Sequence, residues 1–292
     1  MIKILSFGEV LWDIFESEKH LGGAPLNFAA HSAALGAKTW LASAVGDDDL
    51  GKETAELVKK HGVGTEYVSV ASGKETGKCL VSLDKNGVPS FDLLDDVAYD
   101  HISFPDLSET PDVIAFGTLA LRHEGNIKIL NRLLKSNDFP CVFSDVNIRA
   151  PYYSEKSVAF CLENSTIVKI SDEELPIVSK LLLGDSFGPE QAPAKLSEKY
   201  PQLKIVIITK GAKGSCCYDC EEKKFYYADA EKTTVVSTVG AGDSFGAAFL
   251  VKYLEGNGCD DCLKFASKIS AFVCSKAQAV PDNMARFLAE QQ

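Results

Sequence analysis

TTVVSTVGAGDSFGAAF, residues 233–249, decides how the chain is read. The β-branched run Thr233–Val236 predicts a buried strand. Gly240-Ala241-Gly242 predicts a tight turn, where glycine permits backbone angles and close approach denied to other residues. From Asp243 the residues predict a helix, with the Asp243 carboxylate in or beside its first turn. Backbone N–H groups at such a corner lack intrahelical partners and form an anion site. A carboxylate there would repel a passively bound phosphate. It fits a group that takes a proton from a hydroxyl while the amides stabilise charge on a transferring phosphoryl group. The alternative is a plain helix cap, and the motif alone leaves the two readings level.

The totals narrow the field. A chain of 292 residues, 46% hydrophobic and 24% charged, has the composition of a globular protein able to bury a sizeable core. Its formal charge of −11 argues against a general nucleic-acid surface or an anionic membrane as partner. No apolar run approaches the roughly 18 residues that span a bilayer. The opening MIKILSFGEV reads as a first strand and not as a signal peptide, so a cytoplasmic location is expected. Cys217 and Cys220, with Cys259 and Cys262, form two CxxC pairs. The first runs along an expected hairpin strand into its turn and the second spans an expected helix start. Neither has the glycine-rich knuckle of a zinc site, and structural zinc is not expected.

Along the chain, strands are expected at 2–7, 39–45, 112–116, 141–145, 166–170 and 204–209. Helices are expected after Gly23, through Lys60, at 124–135, near 243–253 and at 260–276. This alternation indicates a parallel, doubly wound sheet with ligand groups at the carboxyl ends of its strands. Asp13 is the only acid in Val10–Phe15, either a solvent-facing residue on an edge strand or a carboxylate gripping sugar hydroxyls. Asn27 faces a pocket or satisfies the local backbone. The acids Asp47, Asp48 and Asp49 read as a helix start. Between Thr76 and Leu94 the period changes to that of a hairpin, with an Asn86-Gly87 turn. Together with the Asp13 segment it predicts a small β lid, which would keep water from a phosphoryl-transfer site.

GGAPLNFA near the start and TVGAGDSFGAAFL near the end together resemble the two signatures of the ribokinase-like, or PfkB, carbohydrate kinases. DVNIR, KISDEE and TKGAKGS fall between them in family order, so the likeness spans nearly the whole chain. GEVLWDIF, GGAPLN and DVNIR are similar to the fructokinase branch. The resemblance implies a ribokinase-like three-layer α/β fold, with a mostly parallel central sheet flanked by helices. It implies one domain over 1–292, with lid segments near 10–21 and 76–101. It further implies ATP-dependent phosphorylation of a sugar's primary hydroxyl, fructose to fructose 6-phosphate first. Asp243 would be the base, with the amides of Gly240, Ala241 and Gly242 as anion hole. Asp13, Gly23, Asn27 and Arg149 would hold the sugar. Lys169, Ser171, Thr209, Gly211 and Gly214 would bind the nucleotide, and Glu174 would organise Mg²⁺.

Three departures accompany the likeness. Ser237 stands where the family has Asp beside the anion hole, which weakens the case for K⁺. Ser171 replaces the usual Asn before Glu174. Ala277-Gln278 replaces a Gly-Ala pair of the cation loop. Other acceptors carried forward are 2-keto-3-deoxygluconate, ribose or a nucleoside. A sugar-binding regulator without turnover is the reading from another class. A dinucleotide oxidoreductase, suggested by Gly240, Gly242 and Gly246, lacks the rest of its fingerprint. A homodimer through the lid is the partner expected besides sugar and ATP.

Overall fold

The computed structural model describes residues 1–83 and 89–289. The strands are β1 (Lys3–Phe7), β2 (Leu11–Ile14), β3 (Lys19–Gly22), β4 (Lys38–Val45), β5 (Val63–Gly64), β6 (Val68–Val70) and β7 (Gly77–Leu83). They continue with β8 (Pro89–Leu93), β9 (Val113–Phe116), β10 (Cys141–Asp145), β11 (Ile167–Ser171), β12 (Ile205–Thr209), β13 (Ser215–Asp219) and β14 (Lys224–Ala228). The helices are α1 (Ala24–Ala34), α2 (Asp49–Lys60), α3 (Glu124–Ser136), α4 (Glu155–Asn164) and α5 (Leu175–Leu183). They end with α6 (Ala192–Lys199), α7 (Ala241–Leu254), α8 (Cys259–Cys274) and α9 (Met284–Ala289).

Apolar side chains on both faces of the main strands dictate a sheet covered on both sides. Its order is β14-β13-β12-β11-β10-β9-β1-β4-β5, with β6 also on β4. All pairs are parallel except β12–β13 and β13–β14, the predicted hairpin. Alternate residues divide between two cores. Leu5, Ile114, Val142, Val168 and Val206 face the layer of α3 to α6. Their neighbours Ile4, Val113, Cys141, Ile167 and Ile205 face α7 and α8, with α1 and α2 continuing that layer. Three layers result, as expected. The acids at 47–49 are a helix start: Asp48 accepts the Gly51 N–H at 2.8 Å as N-cap of α2.

The expected strand at Thr233–Val236 is absent. The sheet ends at β14, and the segment does not pair with that edge. Instead the chain runs back along α8. Ser267 Oγ accepts the Glu231 N–H at 2.9 Å, and the Val236 and Ser237 N–H groups both reach the Cys274 carbonyl. Val235 and Val236 are 60% and 62% exposed. A β-branched composition favours extension, but burial needs a neighbour to bury against. α7 therefore starts from a loop.

A second sheet, ordered β3-β2-β7-β8, is separate from the first. Leu11, Cys79, Val81 and Leu93 pack with Val97, Tyr99 and Leu119 beneath it. β2 lies between β3 and β7, so Asp13 is on an inner strand and the edge-strand alternative fails. The Asn86-Gly87 turn lies outside the described residues. All nine cysteines are free thiols. Cys217 packs with Cys259 and Cys262 in the core beneath α8, whereas Cys220 packs on the opposite side of the sheet, so the first CxxC pair does not converge.

Candidate active site

Gly240 has φ 78° and caps α7, which places Asp243 in the first helical turn. A side chain at 240 is forbidden twice over, by that left-handed φ and because a Cβ would lie 2.5 Å from the Ala279 carbonyl oxygen. The Ala241 N–H donates to the Thr238 carbonyl at 3.2 Å, so one of the three amides expected to bind an anion is engaged. The Gly242 and Asp243 amides belong to the first turn, which offers them no intrahelical acceptor. Asp243 is half-buried, and Asn27 Nδ2 of α1 donates to its Oδ2 at 2.8 Å. Burial raises the proton affinity of Asp243, and the Asn27 hydrogen bond with the charges of Lys169 and Arg149 restrains the rise. Asn27 thus bonds to Asp243 and not to its local backbone.

α1 starts at Gly23, whose φ of 113° and close approach to the Glu9 carbonyl exclude a side chain: a Cβ would stand 2.5 Å from that oxygen. This turn brings Asn27 beneath Asp243. Asp13 lies half-buried on the second sheet, beside Gly22 and opposite Cys79 in the register of β2 and β7. Burial raises its proton affinity, against the pull of the Cys79 thiol, His20 and Arg149. Arg149 is exposed, and its charge bears on Asp13, Glu9 and Asp243 alike.

On the other flank, Lys169 is 4% exposed and donates to Asp145 Oδ2 at 2.7 Å. A Cβ on Gly242 would lie 3.3 Å from its ammonium nitrogen, so the lysine reaches the first turn of α7. Glu174 Oε1 accepts the Ile148 N–H at 2.6 Å and its Oε2 accepts the Ser171 N–H at 2.8 Å. Ser171 and Thr209 are register partners at the carboxyl ends of β11 and β12. Gly211 (φ 54°) is exposed in the following turn, and Gly214 (φ 88°) closes it against the Ala228 carbonyl. This turn lies along the sheet from Asp243, with Lys169 and Glu174 between.

Among the described residues no group of three or more His, Cys, Asp or Glu side chains could hold a metal ion. Asp145 Oδ1 is buried without a partner and Glu174 is close enough to raise the proton affinity of Asp145, so the site offers a hard cation two carboxylates. Because both Glu174 oxygens already accept amides, a hydrated ion held through water fits better than direct coordination. A cavity of about 490 Å³ opens between Asp92–Asp95 of the second sheet, Arg122 and residues 151–154, just past Arg149. Asp243 lines a smaller one, about 20 Å³, with Ser6, Pro25, Phe143 and Asp145.

Two nearby carboxylates have no role in the sequence reading. Asp145 lies within DVNIR. Glu9 follows the first strand, yet it is 3% exposed and pushed up to about 7 by burial. The signal that singled out Asp13, an acid within an apolar run, applies equally to Glu9 in LSFGEVLW.

The family model of the pfkB family carbohydrate kinases matches residues 3–285. A putative sugar kinase of Pyrococcus horikoshii is 31% identical over 300 residues, covering 94% of this chain and 91% of that protein. A probable fructokinase-5 of Arabidopsis thaliana is 29% identical over 309 residues, covering 95% and 93%. The Pyrococcus sugar kinase solved in complex with ATP superposes with a TM-score of 0.79 at 28% identity, over 95% of this chain and 94% of that one. A Vibrio cholerae fructokinase, solved with fructose, ADP and calcium, shares the fold with a TM-score of 0.81 at 20% identity, over 96% and 95%.

Proposed function

The chain belongs to the pfkB family of carbohydrate kinases, and from that premise we propose that it transfers the γ-phosphoryl group of ATP to fructose, giving fructose 6-phosphate. ATP-dependent sugar phosphorylation is the family's chemistry; the acceptor and the residue roles are our reading. The observation that carries it is the Asp243 carboxylate, half-buried at the first turn of α7 and held by Asn27. Raised proton affinity suits a base that must take the proton of a primary hydroxyl as that oxygen attacks phosphorus. The first-turn amides of α7 stabilise charge on the phosphoryl oxygens, an effect worth about 10²–10³-fold in rate per donor in comparable sites.

Asp13, Gly23, Asn27 and Arg149 line the acceptor side in this reading, under the second sheet acting as a lid. Lys169 approaches the phosphates from the side of β11. Ser171 and the turn Thr209–Gly214 take the nucleotide. Glu174, with Asp145, holds hydrated Mg²⁺. When bound, that ion neutralises charge on the nucleotide's phosphate oxygens. Support for fructose comes from the fructokinase relatives, which cover nearly the whole chain. A panel of fructose, 2-keto-3-deoxygluconate, ribose and nucleosides with ATP and Mg²⁺, read as ADP formed, tests the assignment. Fructose should give the highest kcat/KM; a larger value for another acceptor would displace it.

A further inference from the structure

Helix α1 reaches the start of α7 twice. Asn27 holds Asp243 at 2.8 Å, and His31, one turn further along the same face, donates from Nε2 to the Ala279 carbonyl at 2.9 Å. A carbonyl oxygen only accepts, so Nε2 carries the ring proton. A second proton on Nδ1, which is buried without a partner, would have no acceptor, and the ring, 1% exposed, is therefore neutral. Ala279 in turn lies against the N-cap of α7. A Cβ on Gly240 would stand 2.5 Å from its oxygen and 2.9 Å from its α-carbon. Val280 packs on the apolar cluster that includes Leu26 and Ala30 of α1. Among the described residues, the bond from His31 is the only hydrogen bond made by residues 277–280. Apolar packing has no direction, so it sets where this loop lies, and His31 sets which way the Ala279 carbonyl faces.

We propose that His31 is a positioning residue for the phosphoryl transfer, holding the Ala279 carbonyl toward α1 so that the first-turn amides of α7 stay open to the phosphoryl oxygens. The inference rests on the reading of those amides as the anion hole. The Gly242 and Asp243 N–H groups have no intrahelical acceptor, and a carbonyl free to turn beside them competes for the same donors. Its oxygen also carries partial negative charge, which repels a phosphate bound at the helix start. α8 secures the cap as well, through Ser270 Oγ, which donates to the Ala241 carbonyl at 3.1 Å. His31 touches no substrate in this reading; it acts through Ala279 and Gly240.

The ring is read first, in the wild-type protein, by ¹⁵N NMR of labelled histidine assigned with His31→Gln. At pH 7 the ring should be neutral with its proton on Nε2; a proton on Nδ1, or a charged ring, overturns the proposal. The second arm measures kcat per folded molecule with ATP and fructose in two variants. His31→Leu has no donor, whereas His31→Gln keeps an N–H at similar reach. His31→Leu should lose about tenfold or more in kcat with both KM values within about threefold of wild type, because the amides act in the transition state. His31→Gln should recover to within about threefold of the wild-type kcat. A merely structural His31 would lower resistance to urea and leave kcat of the folded molecules unchanged in both variants. That result, or an equal loss in both, refutes the proposal. Should His31→Leu fail to fold, His31→Asn, whose amide is one methylene too short, takes its place with the same expected loss. A wild-type protein without turnover on any acceptor of the panel would instead defeat the function proposed above, whatever the ring shows.

Discussion

Asp243 is held in place by its neighbours in three ways: helix geometry fixes its backbone, Asn27 fixes one oxygen, and burial sets its proton affinity. Asp243→Asn keeps the shape and removes the base. We expect kcat to fall by about 10²–10⁴-fold with ATP affinity nearly unchanged, measured by ADP formation and by nucleotide titration. Loss of nucleotide binding in step with turnover would point to a folding defect instead. Ser237 is the second residue with a direct consequence. Its hydroxyl accepts the Val239 N–H at 3.2 Å, and it supplies no carboxylate for a monovalent cation. Exchange of K⁺ for a bulky inert cation should change kcat by less than about twofold, on the reasoning that a neutral oxygen holds a cation weakly. A large drop would show that other oxygens form the site.

Elements lock one another around the amino end of α7. His31 Nε2 of α1 donates to the Ala279 carbonyl at 2.9 Å, and that same oxygen occupies the space a side chain at 240 would need. Gly240→Ala must therefore distort both the cap and the 279 loop. A cost of about 1–3 kcal/mol is expected from the left-handed φ alone, read by urea unfolding, together with at least a tenfold loss of kcat. Unchanged stability would show that the cap relaxes freely. His31 adds a pH dependence. Burial lowers its proton affinity to about 4, against the Ala279 hydrogen bond, so the folded protein refuses a proton that the unfolded chain accepts below about 6.5. Stability from this site is complete above that value and is lost as pH falls toward 4, by on the order of 3 kcal/mol. His31→Gln should narrow the difference between pH 7 and pH 4 in unfolding free energy; equal slopes for the two proteins would refute it.

On the scale of the whole molecule, a covered three-layer body carries a second sheet with exposed apolar side chains. Leu80 of β7 and Phe91 of the outer strand β8 are 41% and 61% exposed, on opposite faces because Leu80 pairs with Asp92 and Phe91 with Val81. A second copy of the chain is the expected partner for Phe91, and sedimentation should show twice the 31.5 kDa of one chain. Phe91→Glu should shift the equilibrium to the monomer, and a monomeric parent protein would end the idea. Three layers were readable because each main strand alternates between two cores, a period-2 pattern written in local residues. The short-range parts of the site were readable for a similar reason. GGAPLN and GAGD carry their glycines where the backbone itself demands them, at φ 113° and 78°.

What the chain alone determined is whatever follows from covalent neighbours: strand parity, the glycine turns, the acid placed in a first helical turn, and the family likeness those motifs carry. Tertiary structure decided which extended segments found a partner. It left Thr233–Val236 outside the sheet, made Asp13's strand an inner one, and brought Glu9, Asp145 and Asp243 into one field although they are far apart in sequence. Burial and proton affinity depend on what lies across from a side chain in space, and no local pattern records that.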